Sequence, residues 1–202
     1  MNMAAVKLTK NELKKQKDAL KRYSRYLPTL MLKKQQLQLV IRQVEALLQE
    51  KTEARRGLFR DMQDWIGLFV DPFPLPDYLA VAQVRVEEGN VAGVEIPVFG
   101  SVEFERRDYD LFSVPAWVDE ALVVMEKLAV LDIEKALLQE QVRLLAAELR
   151  VTSQRVNLFE KVKIPEALES IRKINIYLGD QQTAAVVRGK IAKNNLLRRI
   201  AS

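Results

Sequence analysis

The chain has 202 residues, 29% of them charged, and a formal net charge of +5. It contains neither cysteine nor histidine, which excludes disulfides, thiolate nucleophiles, imidazole general bases and Ser-His triads. No apolar run reaches the roughly 18 residues of a membrane span, and Met1 to Lys17 lacks the apolar core of a signal peptide, so a soluble, cytoplasmic chain without direct membrane insertion is expected.

The first element is a long helix, residues 1–70 in the coarse division of the chain. Thr9-Lys10-Asn11-Glu12 fits a capping box, with Thr9 accepting from the Glu12 amide and Glu12 reaching back. From Leu13 the chain reads in heptads. Leu13, Leu20, Leu27, Lys34, Ile41, Leu48, Arg55, Met62 and Phe69 fall at a, and Gln16, Tyr23, Leu30, Leu37, Val44, Lys51, Leu58 and Trp65 fall at d. Thirteen of these seventeen are apolar or aromatic, against 49% for the whole chain, the pattern of a coiled-coil strand. Pro28 interrupts it, at a cost of about 3 kcal/mol in a regular helix. The phase is unchanged on either side, which predicts a kink rather than a boundary.

Asp71-Pro-Phe-Pro-Leu-Pro76 is expected to end this helix. The middle segment, 71–112, reads as strands. Val84 and Val86 alternate with Arg85 and Glu87, a turn is expected at Glu88-Gly89-Asn90, and Val94, Ile96 and Val98 alternate again, with Val102 and Phe104 following Gly100. This predicts a β-hairpin with room for a third short strand. A unit so small has to lean on the helices or a partner, and Phe69, Phe73, Phe99 and Phe104 are the candidates for that contact.

A second long helix, 113–202, is predicted to start near Ser113-Val114-Pro115. Trp117, Val124, Leu131, Leu138, Leu145, Thr152 and Phe159 take a; Ala121, Leu128, Lys135, Val142, Leu149 and Val156 take d. After Phe159 the phase slips, and Ile164, Leu168, Ile171 and Leu178 continue it in a shifted register. Pro165 marks a bend there, and Gly179 and Gly189 are weak points further on. The fold class is therefore mainly α: a long antiparallel two-helix coiled coil formed by the N- and C-terminal helices, with a small β-hairpin region at the bend.

Charge is segregated along this plan. Residues 1–60 carry a net +10, residues 61–180 a net −10 and residues 181–202 a net +5. Folding back would gather the basic ends and leave the acid toward the bend. Lys34, Lys51, Arg55 and Lys135 interrupt the seam; they either fix register with their stems turned outward or face an acidic partner. Lys10, Lys14, Lys17, Lys21, Arg22, Arg25, Arg188, Lys190 and Lys193 are the candidates for partner contact.

Catalytic, cofactor and metal sites are not expected. Gly189-Lys190 lacks the upstream glycine and the following Ser/Thr of a phosphate loop, and Glu87/Glu88 and Asp108/Asp110 sit in polar turns and strands. The basic N-terminal run, with Tyr23 and Tyr26 interleaved, raises nucleic acid as a partner. A basic coiled-coil fork, however, needs parallel chains, and no nucleic acid is expected. The alternatives to a specific machine part are a structural antiparallel coiled-coil scaffold and a nucleic-acid-binding coiled coil.

Three stretches add a resemblance. Arg155, Val156, Asn157, Glu160, Ile164, Pro165, Glu169 and Ile171 match the RVNxxE…IP…E…I pattern of the D subunits of the vacuolar/archaeal-type (V/A-type) rotary ATPases. Asn90-Val91-Ala92-Gly93-Val94-Glu95-Ile96-Pro97 resembles that family's NVxGVxxP segment, through Asn90, Gly93 and Pro97. Leu30 to Leu37, with Lys33 and Lys34, resembles its LLKxKRDxL run. The chain departs from the family in Leu8-Thr9 for Pro-Thr, in Gln35-Gln36 for Arg-Asp, in Pro28, and in a diluted tail beyond Ile176.

The resemblance implies a non-catalytic central-stalk (rotor) subunit of a V-type ATPase or ATP synthase. Its paired helices would enter a hexamer of catalytic and regulatory nucleotide-binding subunits. The small F subunit of the stalk would bind outside, and the foot would sit on a socket subunit above the membrane ring. Rotation of such a shaft couples ATP hydrolysis or synthesis to ion transport, including hydrogen ion transport, so the chain would be cytoplasmic and peripheral to the membrane. No cofactor is implied.

Overall fold

A computed structural model describes residues 7–63, 65, 67, 74, 77–110 and 114–200. Helix α1 covers Lys10–Asp61, strands β1 and β2 cover Leu79–Val91 and Val94–Arg106, and helix α2 covers Val118–Leu158. A π-helical turn, Phe159–Lys163, then leads into helix α3, Ile164–Ile200. The molecule is thus mainly helical, with long N- and C-terminal helical stretches and a two-stranded antiparallel hairpin between them. Contacts divide it into two compact units, one of residues 33–151 and one of residues 1–32 with 152–202.

The start of α1 follows from Thr9, whose Oγ1 accepts the Glu12 amide at 3.2 Å while its carbonyl accepts from Leu13 N at 3.0 Å. Only half of the expected reciprocal box is used in this way, because the Glu12 carboxylate accepts from Gln16 Nε2 at 2.9 Å. The helix runs through Pro28 without interruption. It ends at Asp61, well before the proline run, as the chain tightens into i→i+3 bonds (Gln63 N to Arg60 O, Trp65 N to Met62 O) that leave Met62 buried. The periodicity could not register this ending, since Met62 and Trp65 are seam residues in either conformation. Phe69, Phe73, Ser113 and most of Asp71–Pro76 lie outside the described residues.

The heptad assignment matches burial closely. Every described a and d position from Leu13 to Trp65, and from Trp117 to Phe159, is buried or half-buried. Within the 33–151 unit the two helices run antiparallel, because Lys33 pairs with Glu148 at 2.6 Å, Lys51 with Glu134 at 2.6 Å and Arg55 with Asp132 at 2.7 Å. The partner number falls as the α1 number rises. Lys51 and Arg55 remain about a third exposed, and the facing helix supplies their acidic partners.

Helix α2 starts at Val118, three residues after Pro115, whose carbonyl accepts from Val118 N at 3.0 Å. The hairpin turn lies at Ala92-Gly93, not at Glu88–Asn90. Ala92 and Gly93 have φ of 51° and 80°, as a two-residue type I′ turn requires, and Asn90 Oδ1 accepts from Gly93 N at 3.0 Å. Gly89 serves close packing instead: a Cβ there would stand 2.8 Å from Val98 Cγ2. After Gly100 the chain continues as β2, and among the described residues there is no third strand. Register shifts at Val81/Gln83 and Arg85/Val86 mark two bulges. At the second, Gly100 is the extra residue, and its Cβ would meet the Arg85 carbonyl oxygen at 2.9 Å.

The hairpin leans on the helices through its tip rather than chiefly through phenylalanines. Ile96 is buried in one cluster with Leu37, Ile41, Val44 and Leu145, and Val91, Ala92, Val94 and Val98 pack around it. Burying such aliphatic side chains contributes about 1.5–3 kcal/mol each. Gln141, itself buried, donates from Nε2 to the Pro97 carbonyl at 2.5 Å, while Phe99 and Phe104 are half-buried.

In the other unit, Tyr23 packs on Phe159 with ring centroids 5.1 Å apart. The register slip there is the π-turn, in which Ile164 N bonds to Phe159 O. One extra residue in the turn moves the seam to Ile164, Ala167, Ile171, Ile174 and Leu178. Ala167 and Ile174 are buried, whereas Leu168, the residue expected in the seam, is 52% exposed. The chain passes Gly179 and Gly189 without leaving the helix.

Candidate interaction surface

The signature residues come out mainly as builders of the backbone. Arg155, Val156 and Asn157 close α2, Glu160 lies in the π-turn, and Ile164 and Pro165 open α3. Pro165 cannot donate, and in a regular α-turn its ring would press on the carbonyl four residues back. The turn just before it is not regular, since Ile164 N bonds five residues back to Phe159 O. Val156 is buried and Ile164 half-buried, while Arg155, Asn157, Glu160 and Pro165 are exposed or nearly so. Asn90 and Gly93 shape the hairpin turn, and Pro97 supplies the carbonyl that fixes the tip to Gln141.

The hairpin is also latched at its base, through residues that periodicity did not single out. Arg106 makes a bidentate pair with Glu126 at 2.6 and 2.7 Å. Hydrogen bonding to that guanidinium holds the Glu126 carboxyl below its ordinary range. Tyr109 donates to Asp119, which pushes the Tyr109 hydroxyl up, and Tyr78 meets the Tyr109 ring edge-on at 5.6 Å. These contacts join residues 10 to 31 positions apart, beyond the reach of a heptad pattern.

All nine basic candidates are exposed: Lys10, Lys14, Lys17, Lys21, Arg22 and Arg25 on α1, Arg188, Lys190 and Lys193 on α3. They belong to the same compact unit, which holds 18 Lys/Arg against 6 Asp/Glu, a net of +12, whereas the 33–151 unit holds 14 against 21, a net of −7. Among the described residues none of the nine is in an ion pair. Two acids of their unit serve other bases, Glu166 with Lys163 at 3.2 Å and Glu169 with Lys173 at 2.7 Å. Lys10, Lys14, Lys17, Lys21 and Arg25 recur every three or four residues along one face of α1. Arg188 to Lys193 stand 14 to 19 residues past Ile174, the last buried residue of α3, or about 20–30 Å further along the helix.

Among the described residues no group of three or more His, Cys, Asp or Glu is disposed to hold a metal ion, and no helix is long and apolar enough to cross a membrane. Fold and surface together define a helix–hairpin–helix chain whose features are a packed seam, a latched hairpin and an uncompensated basic face. The family model for the ATP synthase D subunit matches residues 12–194, and the chain belongs to that family. It is 50% identical over 197 residues to the V-type ATP synthase D subunit of Borreliella burgdorferi, covering 98% of both chains. It is 35% identical over 199 residues to the protein of that name from Chlamydia abortus, covering 96% of this chain and 95% of the other. The Chlamydia trachomatis serovar L2 protein is also 35% identical, over 198 residues, covering 95% and 96%.

Proposed function

We propose that this chain is the central-stalk rotor of a V-type ATP synthase, a non-catalytic subunit that couples ATP turnover in a hexamer to rotation of a membrane ion-translocating ring. The observation that carries the reading is the helix pair. A shaft that transmits torque must resist relative sliding of its strands, and the seam of the 33–151 unit is tied by buried aliphatic residues and by three interhelical ion pairs. Family membership across residues 12–194 supports the same role.

In this reading the catalytic and regulatory nucleotide-binding subunits surround the basic unit, with Lys10, Lys14, Lys17, Lys21, Arg22, Arg25, Arg188, Lys190 and Lys193 facing them. The small F subunit of the stalk and the socket subunit contact the rest. The chain contributes no catalytic group and stays peripheral to the membrane. The test is isolation of the tagged chain from its own cells, followed by single-particle rotation with a bead attached to it. Recovery of two large nucleotide-binding subunits and ATP-driven rotation are expected. A chain recovered alone, with nucleic acid, or in a complex where the bead stays still under ATP would overturn the proposal.

A further inference from the structure

The hairpin has two edges, and β1 carries one that the described residues leave open. Ala80 through Glu88 are exposed without a break, whereas β2 turns Ile96, Pro97, Val98, Phe99, Val102 and Phe104 inward to varying degrees. The sheet has only these two strands among the described residues, so the outer backbone groups of β1 are a ready template for another strand.

The side chains along that edge are patterned. Val81 pairs with Phe104, Val84 with Val102 and Val86 with Phe99. Simple alternation would throw Val81 and Val84 onto opposite faces. The extra residue Ala82, and Gly100 on β2, restore the phase, so the three valines share one apolar face. They remain 46%, 37% and 47% exposed, a row of apolar side chains left partly open on an edge strand. Toward the tip, Glu87 and Glu88 follow on the two faces of the same strand, and among the described residues neither is in an ion pair, although Arg85 is matched to Glu103 at 2.7 Å. Natural edges are blunted by charged side chains, proline, bulges or a covering element; β1 carries the Ala82 bulge and Arg85, but it has no lysine and no proline.

We propose that β1 is a docking edge that takes up an extended segment of a partner protein by strand addition. The segment sets apolar residues at alternate positions beside Val81, Val84 and Val86, followed by Lys or Arg beside Glu87 and Glu88. Backbone bonds along the edge give the affinity, and the alternating side chains give the register. This does not depend on rotation, only on a protein partner that accompanies the chain in its complex.

Amide hydrogen exchange separates the outcomes, compared between the isolated chain and the complex purified from cells. Amides of Val81–Glu88 whose N–H groups point outward are expected to exchange freely in the isolated chain and to slow by at least about tenfold in the complex. The doubly substituted Val84→Lys/Val86→Lys chain should lose that added protection while the Leu37–Val44 amides keep theirs, showing that the helix pair is intact. Glu87→Lys/Glu88→Lys should lose part of it, most visibly at low salt. Fast exchange of these amides in the complex would overturn the proposal. So would full protection in the isolated chain, which would mean that the edge is covered from within.

Discussion

Deleting Lys161 removes the one residue that separates the π-turn from a regular helix. From Phe159 the seam resumes at Ile164, a spacing of five, and continues through Ala167, Ile171, Ile174 and Leu178 by threes and fours. Without Lys161 the first step becomes four, so an unbroken α-helix would carry Ala167 and Ile174, now 3% and 0% exposed, into the same seam. The obstacle is Pro165. In a regular turn it costs about 3 kcal/mol through the lost bond and the ring clash, and the π-turn avoids that geometry. The single deletion should therefore destabilise by about 3 kcal/mol, and adding Pro165→Ala should recover most of it. Pro165→Ala alone should shift stability by less than about 1 kcal/mol, because the five-residue step still demands the wide turn. Urea unfolding followed by far-UV circular dichroism gives the double-mutant cycle. An additive cycle, with the double variant as unstable as the deletion, would refute the coupling between proline and π-turn.

Gly100→Ala should lower the melting temperature, at a cost of about 1–3 kcal/mol, since the new Cβ meets the Arg85 carbonyl oxygen at 2.9 Å. Gly179→Ala, in a helix with nothing within 4 Å, should raise it by about 1 kcal/mol of stability, and thermal melts of the two variants check both signs. The lowered pKa of Glu126 means that its pair with Arg106 stabilises the fold above the ordinary glutamate value of about 4.3. That contribution is lost as pH falls through the folded-state value below it. Glu126→Gln should flatten that part of the stability profile, measured by denaturant titration from pH 7 to 3. If the proposed function holds, neutralising Lys10, Lys14, Arg188 and Lys190 together should weaken assembly with the nucleotide-binding hexamer at low salt and matter less at high salt. Binding that does not change across a salt titration would remove the electrostatic role.

The sequence by itself determined the seam, because helical burial repeats every three to four residues and a heptad of apolar positions can satisfy only one face. Thr9 started the first helix where its hydroxyl could accept an orphan amide, and the slip after Phe159 marked where the register changes, although not the π-turn that causes it or the exposure of Leu168. The sequence also separated basic from acidic stretches, although not their arrangement, since the distance of Arg188 past Ile174 depends on where the seam stops. Pairing and packing decided the rest. Gly89 and Gly100 look like turn residues until their cross-strand neighbours are known, and Ala92 is an unusual place for positive φ. The bond from Gln141 to the Pro97 carbonyl joins residues 44 apart, and Arg106 meets Glu126 only after the hairpin has folded back. Such contacts have no period, because they are made by elements brought together through other residues' burial, and only the tertiary structure fixes them.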